Sequence, residues 1–193
     1  MSFTRAQLAT FHGGTLPDLV PDNLRLLIVG INPGLLTIAT QIHFGRPGNR
    51  FYPALVAAGI IPRMPQVTDG VYADAPALLT EAGIGVTSIV AAASARADEL
   101  TNEQLREGGA LLVEKVRRLQ PAVVAIVGIT AYRIAFALPK AATGRQPDGI
   151  AGSQLWVVPN PSGLNAHDTV ASLAAAYSEP ARAAGLPLEA AGS

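Results

Sequence analysis

The sequence predicts an α/β protein, a three-layer α/β/α sandwich around a mainly parallel central sheet. Three features predict it. Leu24–Val29 and Ala122–Val127 are unbroken aliphatic runs, as expected of strands covered on both faces. Segments with helical spacing and caps lie between the strand candidates. Strands alternating with helices along one chain favour a parallel sheet. With 193 residues, 49% hydrophobic and 15% charged, the chain is long and apolar enough for one buried core.

In chain order, residues 1–23 read as a leader packing on the domain, with a short helix near Thr4–Thr10. Residues 24–193 read as the single domain. Strand one, Leu24–Val29, runs into the turn Gly30-Ile31-Asn32-Pro33-Gly34, followed by a loop from Leu35 to Gly48. Asn49 is placed to cap a helix that stops at Gly59, and Asp74 to cap one that stops at Gly83. Ile84–Val90 reads as a strand and residues 91–98 as a small-residue loop. Thr101 and Gln104 form a capping box. It opens a helix with Leu105, Gly109, Leu112, Val116 and Leu119 on one face, and Lys115, Arg117 and Arg118 suit its C-terminal dipole. Thr130–Leu138 reads as a helix, residues 139–152 as a polar loop and Leu155–Val158 as the last strand. Asp168 is placed to cap a closing helix with a kink or break at Pro180.

Composition excludes several chemistries. The absence of cysteine removes disulfides, thiolate metal sites and a thiol nucleophile. His12, His43 and His167 lie far apart and have no metal-ligand spacing. No run reaches membrane length and no secretory signal pattern opens the chain, which reads as soluble and intracellular. The formal net charge is +0, so nucleic-acid binding would rest on local charge.

Two strands end in Asn-Pro turns, at Asn32-Pro33 and Asn160-Pro161. In a parallel sheet both turns face one rim, where α/β proteins bind ligands. Each asparagine can also serve only its own turn. No phosphate loop of the Walker or dinucleotide type is present, which disfavours an enzyme of free nucleotides.

The segments Thr15-Leu16-Pro17-Asp18, Gly30-Ile31-Asn32-Pro33-Gly34-Leu35, His43-Phe44-Gly45-Arg46-Pro47-Gly48-Asn49-Arg50-Phe51, Gly85-Val86-Thr87, Glu107-Gly108-Gly109 and Trp156 through Leu164 occur in this order. Together they resemble the mismatch-specific uracil/thymine-DNA glycosylase family, family 2 of the uracil-DNA glycosylase superfamily. The resemblance spans about Thr15 to Tyr177. It implies a uracil-DNA glycosylase-like fold and a monofunctional enzyme, needing no metal and no cofactor, that flips uracil, or another deaminated or damaged base, from mismatched duplex DNA. Base excision repair is the expected setting. The implied partner is double-stranded DNA carrying G·U or related mismatches, met by a monomer of the bacterial cytoplasm.

By the same resemblance, Asn32 positions the attacking water and Asn160 stabilises the departing base. Phe44 stacks on that base, Ile31 contacts it, His43 neighbours it, and Thr37 crowds the position of thymine's methyl, favouring uracil. Gly163, Leu164 and Asn165 correspond to the wedge that fills the vacated stack. Arg46 and Arg50 are candidate phosphate contacts, with Lys140 or Arg145 beside them. Arg50 reads equally as an internal brace. Ser88 and Ala166 stand where some relatives carry lysine and arginine, which weakens the expected grip on the opposite strand. A catalytically weak module that only binds mismatched DNA is the alternative.

Overall fold

The computed structural model describes residues 3–163 and 167–188. Five strands form the main sheet in the order β4-β1-β5-β7-β6. They are β1 (Leu26–Gly30), β4 (Ile84–Ser88), β5 (Val123–Val127), β6 (Gly144–Arg145) and β7 (Gln154–Val158). β1 pairs in parallel with β4 and β5, and β5 with β7; only the short β6 runs antiparallel, against β7. This is the predicted mainly parallel sheet with helices on both faces.

Why the strands read as solid aliphatic runs follows from the two layers that cover them. Leu26 and Ile28 pack with Phe51, Tyr52, Leu55, Leu173 and Tyr177 on one face. Leu27 and Val29 pack with Leu105, Leu112, Val116 and Tyr132 on the other. The first layer holds α3 (Phe51–Ala57) and α7 (Val170–Ala183); the second holds α5 (Asn102–Leu119) and α6 (Ile129–Ala135). Each fully buried aliphatic side chain contributes roughly 1.5–3 kcal/mol.

The capping box on α5 forms as predicted, Thr101 accepting from the Gln104 N–H and Gln104 from the Thr101 N–H. Two glycines inside that helix cost helix propensity, but they allow close packing. A Cβ on Gly108 would stand 2.3 Å from the Ile89 carbonyl oxygen, and one on Gly109 2.7 Å from that of Ala135.

Several boundaries differ from expectation. The supposed loop after Gly34 contains α2 (Leu35–Thr40), whose Ile38 is buried; with Gly34 as a bare cap, it lacks a side-chain start signal. Asp74 stands at the cap of α4 (Ala75–Glu81) but makes no capping bond; its carboxylate instead accepts from the Gln66 N–H and pairs with Arg63. Gln66 and Asp74 flank a small hairpin, β2 (Val67–Thr68) with β3 (Val71–Tyr72), absent from the predicted set. The polar loop 139–152 carries β6. The cap of α7 is Thr169, not Asp168, and the helix runs through Pro180 to Ala183 instead of breaking there. Lys115 does not serve the dipole of α5. Its ammonium bonds the carboxylate of Asp18 at 2.6 Å and the hydroxyl of Thr87 at 2.7 Å.

At the front of the chain, α1 (Arg5–Ala9) has its own capping box between Thr4 and Gln7. Leu19 then forms an antiparallel bridge with Val86 on the outer side of β4. No helix among the described residues is long and apolar enough to cross a membrane.

Candidate active site

The carboxyl ends of β1, β4, β5 and β7 face one rim, and the turn after β1 is stitched to the chain leaving β4. Gly30 O accepts from Ile89 N, Ile31 O from Val90 N, and Pro33 O from Ser94 N. Thus the glycine-proline turn does not float over the rim; its carbonyls are fixed by segment 89–94. Asn32 projects from the middle of this stitched pair.

Its amide has a defined orientation. Nδ2 donates to Ala92 O at 3.2 Å and to Ser94 Oγ at 2.8 Å. A backbone carbonyl only accepts, so the group facing Ala92 must be the NH₂ end. Ser94 in turn donates to Arg96 O at 2.7 Å. The NH₂ end is therefore spent on the protein, and Oδ1 is the end left to accept from a small ligand.

Asn160, at the end of β7, is tethered the other way round. Its Oδ1 accepts from Ser162 N at 3.0 Å, closing a local turn. Its Nδ2 lies 3.9 Å from where a Cβ on Gly128 would stand. Gly128 has φ +105 and ends β5 between Ile31 and Asn160, a position that suits only glycine.

Asn32, Asn160, Thr37, His43, Phe44 and Arg46 line one cavity of about 450 Å³, together with Ile31. Phe44 has a left-handed backbone, φ +55. Its ring stacks on Phe51 with centroids 4.1 Å apart and 24° between planes. Phe51 is fully buried, so the core backs one face of the Phe44 ring. The carbonyl between Phe44 and its neighbour is also fixed, since Tyr52 donates its hydroxyl to His43 O at 2.7 Å.

His43 is drawn inward. Its Nε2 lies 3.2 Å from Pro17 O, which requires the proton on Nε2. Burial lowers its pKa below the ordinary histidine value, opposed by the Pro17 bond and the Asp18 charge. The imidazole is neutral near pH 7.

Arg50 resolves as a brace. Its guanidinium donates to Asp168 O and, at 2.6 Å, to Ser162 O, and its N–H donates to Pro161 O. Turned onto these carbonyls, it ties the Asn160 turn to the start of α3, as the reading of Arg50 as an internal brace expects. Arg46 is exposed at the cavity. Lys140 and Arg145 border a separate hollow beside β6. Gly163 lies against Gly48, whose carbonyl oxygen would be 2.9 Å from an added Cβ. Leu164 and Asn165 fall outside the described residues.

Sequence reasoning missed the wall formed by Ser94, Arg96 and Asp98. Arg96 and Asp98 form an exposed ion pair there. A short polar-small loop ahead of a capping box was the available signal, and it carries no spacing that marks a site. Among the described residues no cluster suited to a metal ion occurs.

The Uracil DNA glycosylase superfamily matches residues 17–179, most of the chain. The chain belongs to that superfamily. Among solved structures it resembles a Methanosarcina acetivorans protein, determined by solution NMR and provisionally designated a uracil DNA glycosylase. The TM-score is 0.59 at 18% identity, over 88% of this chain and 98% of that one, a likeness of fold.

Proposed function

We propose that the protein is a monofunctional DNA glycosylase that removes uracil from mismatched duplex DNA, as its superfamily membership and rim site support. The observation that carries this is the meeting of Asn32 and Asn160 on one cavity, with the Asn32 amide turned so that Oδ1 is left to accept. Hydrolysis joins a water oxygen to the sugar's C1′ while the bond from C1′ to the base breaks and its electron pair leaves with the base. The water needs an acceptor to orient it, which Asn32 Oδ1 supplies. The base needs a donor where negative charge collects, which suits the amide nitrogen of Asn160. An amide is a weak base, so Asn32 holds the water more than it deprotonates it.

Phe44 offers a ring stiffened from behind by Phe51, on which an extruded pyrimidine stacks. Thr37 narrows the cavity near thymine's methyl, so uracil is preferred. A G·U wobble pair is cheaper to open than a normal pair, which directs the enzyme to mismatches. Gly163, Leu164 and Asn165 are assigned the wedge, and Arg46 a phosphate. The substrate's pairing, the wedge and the monomeric state are parts of this proposal.

The test is a duplex with one G·U pair, incubated with excess protein and then cleaved with alkali at abasic sites. Strand scission that disappears in Asn32→Ala is expected. Binding of the duplex without scission by the wild-type protein would mean a recognition module instead.

A further inference from the structure

The superfamily match begins at residue 17, yet the chain ahead of it touches the wall that grips Asn32. Gly13 N donates to Ala93 O at 2.8 Å, and Ala93 N donates to Gly14 O at 2.8 Å. Ala93 is the one residue between the two acceptors of the Asn32 amide, the Ala92 carbonyl and the Ser94 hydroxyl. The double exchange therefore clamps the backbone at the midpoint of that grip.

The loop needs such a clamp. Ala91-Ala92-Ala93-Ser94-Ala95 has almost no side chain with which to anchor itself. The clamp itself is rigid. Gly14 N donates to Phe11 O, His12 N to Ala9 O and Phe11 N to Leu8 O, so the segment continues the capped α1 as one block. That block rests on α2, where a Cβ on Gly14 would stand 3.2 Å from Ile38 Cγ2. Helix α2 carries Thr37 of the cavity.

We infer that residues 11–14 form a positioning strap for the active site, holding Ala92 O and Ser94 Oγ where they orient the amide of Asn32. The inference rests on the proposed role of Asn32 as holder of the attacking water. The strap touches no substrate; it acts through the loop. A carboxamide a fraction of an ångström out of place holds the water poorly, and misplacements of that kind slow the chemical step without changing affinity.

Gly13 is the point of attack. It has φ +76, and a Cβ there would meet nothing within 4 Å, so only backbone conformation and the N–H matter. Asparagine tolerates that conformation and keeps the donor. Alanine keeps the donor under strain; proline loses both. In the full chain, single-turnover excision from a G·U duplex at saturating protein should rank wild type and Gly13→Asn together, then Gly13→Ala, then Gly13→Pro. The last should be slowed roughly tenfold. Affinity for an abasic-site duplex should stay unchanged across the series. In a Ser94→Ala background the effect of Gly13→Pro should shrink, because one of the two acceptors it serves is already gone.

Wild-type rates throughout the series, in a protein active on G·U, would overturn the strap and leave the proposed function standing. So would an equal loss in both backgrounds, which would signal general destabilisation. If Gly13→Pro fails to fold, the comparison of Gly13→Ala with Gly13→Asn decides: slower Ala supports the strap and equal rates overturn it. A wild-type protein inert on the duplex would overturn the role of Asn32, and the strap's purpose with it.

Discussion

The two asparagine turns look alike in sequence and differ in what holds them. Asn32 is gripped by its nitrogen, from residues some sixty positions later, and so offers an oxygen. Asn160 accepts through its oxygen from the N–H of Ser162, two residues on, so its amide is turned the opposite way. The same side chain is thus turned in opposite senses by a distant tether and by a local one. Residue type at a strand end therefore specifies less than the partner that fixes its rotation.

The largest effect is expected from removing the acceptor. Asn32→Ala should lower single-turnover excision by roughly 10²–10⁴-fold while duplex binding persists. Retention of the wild-type rate would remove Asn32 from the chemistry. Asn160→Asp sharpens the contrast, because it keeps the oxygen that accepts from Ser162 but loses both amide donors. A loss of about 10²-fold, close to that of Asn160→Ala, is expected if donation matters. If Asp restored most of the activity that Ala loses, the turn and not the donor would be the important part.

Arg50 tests whether the late turn needs outside support as the early one does. Arg50→Ala leaves the carbonyls of Ser162 and Asp168 without its guanidinium and should cost about 1–3 kcal/mol in denaturant unfolding. Arg50→Lys should not recover it, since one ammonium does not reproduce the guanidinium's fork of donors. An unchanged midpoint in Arg50→Ala would show that the turn holds itself.

The smallest effect concerns His43, on the early side of the cavity. Its folded pKa lies below the ordinary value of 6.5, chiefly through burial. The unfolded chain therefore takes up the proton first as pH falls. The His43 contribution to stability is complete above about pH 6.5 and declines below it. Unfolding followed from pH 8 to 5 should show that slope in the wild type and a shallower one in His43→Gln. Equal slopes would place the titration elsewhere.

What was legible in the sequence followed the same division between local and distant partners. Leu26–Gly30 and Val123–Val127 could be read because burial on both faces writes itself as an aliphatic run. Thr101 with Gln104 could be read because both partners lie within one turn. The rim position of the two asparagines followed from the parallel sheet, while the roles proposed for them came from the family resemblance. The acceptors of Asn32 were not legible, since one is a backbone carbonyl of an alanine. Nor was β6, a Gly-Arg pair that becomes a strand only by lying against Trp156 and Val157. The partners of the Arg50 brace were not legible either, since both are backbone carbonyls more than a hundred positions later.

The stacked pair Phe44 and Phe51 carries one last consequence. The surface proposed to receive the base is the outermost leaf of the hydrophobic interior, with no cushion of water or loop behind it. Trimming Phe51, a residue no ligand reaches, would let the leaf sink and deepen the recess. Substrate range in such a protein can thus drift through changes hidden beneath the site, while every residue that meets the DNA stays the same.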